Sequence, residues 1–74
     1  MIKLLIADDH QLFINGLRSL FENESNIKVV GEALNGKEVI DVLLRTEVDI
    51  ILLDLKMPDT DILLLTKEIR TRFA

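Results

Sequence analysis

Two short apolar runs do most to decide what this chain can fold into: "IKLLIA" at residues 2–7 and "VDIILLDL" at residues 48–55. Each is nearly continuous rather than alternating, the pattern of a strand buried on both faces of a parallel sheet covered by helices. Neither is long enough to cross a bilayer, and Asp8 and Asp9 end the first too early for a signal peptide. No membrane contact is therefore expected. The chain contains no cysteine, which removes disulfides and thiolate zinc sites together and suits a cytoplasmic setting. With 74 residues there is room for one domain, 1–74, and a net charge of −4 argues against direct contact with nucleic acid.

The intervening segments read as helices and one more strand. From His10 to about Asn23, Phe13, Leu17, Leu20 and Phe21 recur at helical spacing, with Asn15, Arg18 and Glu22 elsewhere around the wheel. "ESN" supplies a turn, and "IKVVGEA" at residues 27–33 is a second strand, polar enough for a sheet edge, where Gly31 marks a bulge or a close approach. Asn35 and Glu38 fit a capping box opening a helix to about Arg45, with Val39, Ile40, Leu43 and Leu44 as its apolar stripe. Gly36 needs no role beyond starting that helix.

Pro58 and Asp59 end the third strand, and a third helix from about Thr60 to Phe73 buries Ile62, Leu65, Ile69 and Phe73. Leu64, beside Leu63, either broadens that core contact or belongs to an exposed patch. Lys67, Arg70 and Arg72 form an exposed face suited to the carboxyl end of the helix. Strands alternating with helices give an α/β class with parallel strands and right-handed crossovers.

In such sheets the binding crevice lies beyond the carboxyl ends of the strands. Asp8 and Asp9 follow the first strand and Asp54 closes the third, so the three acids are expected to converge. Two carboxylates about 5 Å apart repel by roughly 3 kcal/mol at an effective dielectric near 20, so three together call for a cation or for protons. Mg²⁺ suits them, because it takes oxygen ligands and keeps several waters of its own; Mn²⁺ is the other candidate. Taken singly, Asp9 also fits the N-cap of the first helix, Asp8 a solvated neighbour, and Asp54 a polar strand end. His10 fits a solvated residue near the helix start, with a proton donor as the alternative.

The paired acids in "ADDH", the strand "DIILLDLKMPD" and the segment "VVGEALNGKEVI" together resemble the first half of a response-regulator receiver domain of two-component signalling, in the branch that carries a LuxR-type helix-turn-helix output domain. The resemblance spans essentially the whole chain. It implies a partial flavodoxin-like (CheY-like) fold, βαβαβα, three parallel strands with three helices out of a family pattern of five and five, with no output domain within these residues. It further implies that Asp54 is the phosphoacceptor served by a histidine kinase. By the same likeness Asp9 binds Mg²⁺ directly, Asp8 acts largely through water, and the Lys56 backbone carbonyl completes the metal site.

The family pattern also has a Ser or Thr after a fourth strand and a Lys after a fifth, beyond this stretch; Thr60 is a hydroxyl near the site. Where the family commonly reads "MPxMDG", this chain has "MPDTDI", so either the turn is reshaped or the third helix begins earlier. In the flavodoxin-like order 2-1-3-4-5 the third strand here has a bare outer edge, which predicts a homo-oligomer, by pairing of third strands edge to edge or by exchange of segments between subunits. Two other classes stand beside the phosphoacceptor: a shortened half-domain serving as an interaction module, and a small Mg²⁺-dependent phosphohydrolase using Asp54. No general acid or water-positioning base can be named for the last, so no enzyme is expected.

Overall fold

The computed structural model describes residues 1–73. Strand β1 (Ile2–Ala7), helix α1 (Gln11–Glu22), strand β2 (Ile27–Ala33), helix α2 (Gly36–Arg45), strand β3 (Ile50–Leu53) and helix α3 (Ile62–Phe73) follow in order. All pairing is parallel, in the order β2-β1-β3, which puts the apolar β1 at the centre and the more polar β2 at an edge. No helix among these residues is long and apolar enough to cross a membrane.

The centre strand has two wet-excluded faces because its side chains alternate. Leu5 and Ala7 join Ala33, Val39, Val42, Met57 and Leu65 under α2 and α3. Leu4 and Ile6 join Ile14 under α1. Leu5, Ile6, Ile14 and Val39 are the largest fully buried side chains, so the core is two thin layers sharing one strand. The register slips between Leu4 and Leu5, which pair with Val29 and Gly31 and leave Val30 as the extra residue of a bulge. Gly31 belongs there for a second reason: a Cβ on it would meet Val42 Cγ1 at 2.8 Å.

Several expectations are corrected. β3 is a four-residue strand with only one covered face: Ile51 and Leu53 pack under the helices, whereas Ile50 and Leu52 are 47% and 39% exposed. The cause is the placement of α1, which lies over β1 and β2 and stops short of β3. The buried stripe of α1 is accordingly turned by one residue, to Ile14, Leu17 and Phe21, leaving Phe13 and Leu20 exposed. In α2 the deepest residues are Val39 and Val42, with Ile40 and Leu43 half-buried and Leu44 exposed. α3 buries Leu65 and half-buries Ile62, Ile69 and Phe73 as expected, and Leu63 and Leu64 both face solvent.

The predicted capping box is present in a shifted form: Asn35 Oδ1 accepts from Glu38 N–H, while Glu38 Oε1 accepts from Leu34 N–H. The loop after β3 is reshaped rather than absorbed into an earlier helix. Asp59 takes a left-handed φ of 50°, a conformation that aspartate tolerates better than most residues. α3 then starts at Ile62, with Asp61 Oδ1 accepting from Leu64 N–H. Gly36 does more than begin a helix, since a Cβ there would lie 2.9 Å from Thr60 Cγ2.

Candidate metal centre

The acids end up where the strands that carry them stop. Asp8 follows the last residue of β1, and its N–H donates to Ala33 O at the end of β2, while Asp54 N–H donates to Ala7 O. The three strand ends are thereby tied into one rim. Ligand atoms of Asp8, Asp9, His10 and Asp54 all lie within 4.8 Å of one another. The apolar pair Leu52 and Leu53 precedes Asp54, and Met57, 94% buried by its 6% exposure, anchors the loop just beyond it.

The alternative readings of Asp8 and Asp9 are overturned, while a polar strand end remains a fit for Asp54 beside the metal reading. The N-cap of α1 is His10, not Asp9, and it makes no side-chain capping bond. Asp8 is only 9% exposed rather than solvated, and its Oδ1 accepts from His10 N–H at 2.9 Å. The His10 ring is exposed, yet it is bound to the cluster: Nδ1 lies 3.0 Å from Asp8 Oδ1 and 3.0 Å from Asp9 Oδ1. Asp54 is half-buried, and Lys56 N–H reaches its Oδ1 at 3.3 Å, so the Lys56 peptide stays with the carboxylate it follows. Thr60 is not part of the cluster. Its hydroxyl donates to Pro58 O and accepts from Gly36 N–H, which makes it a fastener between the loop and α2.

The electrostatics follow from this geometry. Burial is the largest influence on the Asp8 carboxyl and works to raise its pKa, but the His10 N–H, the His10 ring and its charge together outweigh it. The carboxyl therefore titrates below the ordinary aspartate range. His10 is displaced upward, chiefly by its hydrogen bond to Asp8 and then by the charge of Asp9, with Asp54 adding a smaller push. Such a site favours cations, and three carboxylates with one imidazole suit a divalent metal of about six ligands completed by water.

His10 joins the cluster although the resemblance assigns it no place there. Its adjacency to the acid pair was the available signal, but an exposed histidine at a helix start carries no mark of where its ring turns. Beside the cluster an open apolar groove between α1 and β3 is lined by Phe13, Leu17, Leu52 and Leu53, with Asp8 and Asp54 also in its wall.

Residues 4–74 match the family model described as the response regulator receiver domain. The uncharacterized transcriptional regulatory protein YhcZ of Bacillus subtilis is 45% identical over 60 residues, 81% of this chain and 28% of its own length. Response regulator UvrY of Escherichia coli is 41% identical over 58 residues, 78% of this chain and 27% of its own. The chain thus spans less than a third of each of these relatives. Among solved structures, the non-phosphorylated receiver domain of the stress response regulator RcsB from Escherichia coli superposes with a TM-score of 0.89 at 32% identity, covering 97% of this chain and 57% of that one. RcsB from Salmonella enterica serovar Typhimurium, bound to promoter rprA with the phosphomimetic BeF₃⁻, superposes with a TM-score of 0.86 at 30% identity, over 97% and 42%.

Proposed function

The chain belongs to the response regulator receiver domain family, and from that membership we propose that Asp54 accepts a phosphoryl group from a histidine kinase, as the receiver portion of a cytoplasmic two-component transcriptional regulator. The observation that carries this reading is the meeting of Asp54 with Asp8 and Asp9 at one rim of the sheet, their ligand atoms within 4.8 Å. Asp8, Asp9, Asp54 and the Lys56 carbonyl are the proposed metal ligands. A bound Mg²⁺ or Mn²⁺ supplies neutralisation of the phosphoryl oxygens during transfer.

The chain's own residues do the positioning. Leu53 packs under α2 and α3 and so holds the end of β3, and the Lys56 N–H limits rotation of the Asp54 carboxylate. A carboxylate oxygen of Asp54 attacks phosphorus in line, the bond from phosphorus to the donor nitrogen breaks, and an acyl phosphate remains on Asp54. The domain is a phosphoacceptor, not an enzyme with a substrate of its own. DNA binding, as in the RcsB complex, is assigned to other parts of a longer protein and not to residues 1–74.

Incubation of wild type and Asp54→Ala with acetyl phosphate and Mg²⁺, read by intact mass, tests the assignment. One added phosphoryl group that requires both Asp54 and the metal is the expected result. No labelling of folded wild type, or equal labelling of Asp54→Ala, refutes it. A second reading, self-association, is favoured by β3, whose outer edge has no partner strand among the described residues and whose Ile50 and Leu52 are exposed. The proposed partner is a second copy of the chain paired along that edge.

A further inference from the structure

The loop between Asp54 and α3 holds a shape that its own residues do not favour. Asp59 lies in the left-handed region at φ 50°, which carries a cost for any residue with a Cβ. Two anchors keep the loop there. Met57 is buried in the core with Ala33, Val39 and Leu65. Thr60 is the second: its hydroxyl donates to Pro58 O at 2.8 Å, spanning the left-handed residue, and accepts from Gly36 N–H at 2.9 Å. Gly36 begins α2, so its N–H is one of the amides with no partner inside the helix, and the hydroxyl supplies that partner. With its proton and a lone pair both engaged, the hydroxyl has one orientation. The contact is also close: a Cβ on Gly36 would lie 2.9 Å from Thr60 Cγ2 and 3.3 Å from Oγ1, so a side chain there would force the clasp apart.

The Lys56 carbonyl, proposed above as a metal ligand, belongs to the segment between Asp54 and this clasp, one residue before Met57 and two before Pro58. A ligand group binds most tightly when it is fixed before the ion arrives, because no freedom is then lost on binding. The family pattern quoted above has Met where this chain has Thr60, and a thioether has no proton to donate to Pro58 O. The clasp is therefore a device of this chain's own sequence. We propose that Thr60 is a positioning residue: by tying the Pro58 carbonyl to the first amide of α2, it fixes the loop that carries the Lys56 carbonyl and strengthens Mg²⁺ binding without touching the ion. This rests on the metal reading and deepens it.

Thr60→Val keeps the side chain's shape and removes the hydroxyl, whereas Thr60→Ser keeps the hydroxyl. Circular dichroism establishes that each is folded, and calorimetric titration with MgCl₂ gives the affinity of the folded protein. Thr60→Val should bind Mg²⁺ about 3- to 10-fold more weakly than wild type, the scale of one lost hydrogen bond. Thr60→Ser should restore the wild-type affinity. A role confined to stability lowers the Tm of Thr60→Val and leaves its Kd for Mg²⁺ unchanged, and that result overturns the proposal, as does equal weakening by Ser and Val. A second measurement needs no variant. In amide NMR of wild type, MgCl₂ should shift Gly36 together with Asp54 and Lys56, because the Thr60 hydroxyl joins the loop to Gly36. A Gly36 signal that stays fixed while Asp54 and Lys56 move overturns the role of Thr60 alone. Folded wild type in which none of the three moves overturns the metal reading together with it.

Discussion

Charged groups in this chain acquire meaning from their partners more than from their exposure, and Glu32 illustrates the point outside the acid cluster. It ends near the top of β2, where Arg18 of α1 forms an ion pair with it and Gln11 donates to its other oxygen. The Arg18 contact is the main cause of a pKa held below the usual glutamate range. A depressed carboxyl stabilises the fold fully above its unfolded pKa of about 4.3, and that contribution is lost as pH falls through the lower folded value. Because both side chains are partly exposed, it should amount to no more than about 1 kcal/mol. Thermal unfolding of wild type and Glu32→Gln should therefore differ at neutral pH and converge in acid; a constant gap across that range would disprove the pairing. Asp8, Asp9 and Asp54 could be picked from sequence because strand ends in parallel sheets share a rim. The Arg18 contact to Glu32 could not, since it depends on the tilt of α1 across two strands.

Helix and strand identities were readable from periodicity, but the faces they bury were only partly so. In α1, Phe13 and Ile14 are consecutive apolar residues, and nothing local says which of them turns inward. Ile14 does, because α1 sits over β1 and β2, and Phe13 is left at the mouth of the groove beside β3. The same ambiguity separates Val42 from Leu44 in α2. Gly31 flanks the bulge at Val30 and is itself the site of the close approach. Gly31→Ala would put a methyl group against Val42 and should destabilise the protein by about 1–3 kcal/mol. Val42→Ala removes the opposing methyl groups, so urea unfolding of the double variant should show less than the sum of the two single losses. Strict additivity would mean that the penalty arises elsewhere.

Taken as one body, residues 1–73 form a sheet whose two margins differ. β2 carries Lys28 and Glu32, charges that suit an edge strand, whereas β3 is aliphatic throughout and exposes Ile50 and Leu52. The reading of self-association predicts that the sedimenting mass of wild type grows with concentration on the order of tens of micromolar, a range where modest association becomes visible. Ile50→Lys should abolish that growth while leaving the fold intact, because Ile50 is already half in solvent. A wild type that stays monomeric throughout removes this reading. The bare margin follows directly from the strand order; the exposure of Leu52 does not, because it depends on how far α1 reaches.

Thr60 gives the molecule a mechanical linkage. One hydroxyl is clasped at once by the Pro58 carbonyl and the first amide of α2, and the absent side chain of Gly36 lets the two segments touch. The stretch that follows Asp54 and the amino-terminal turn of α2 are thus yoked. Through this clasp a displacement of the loop after Asp54 would pull directly on the first turn of α2.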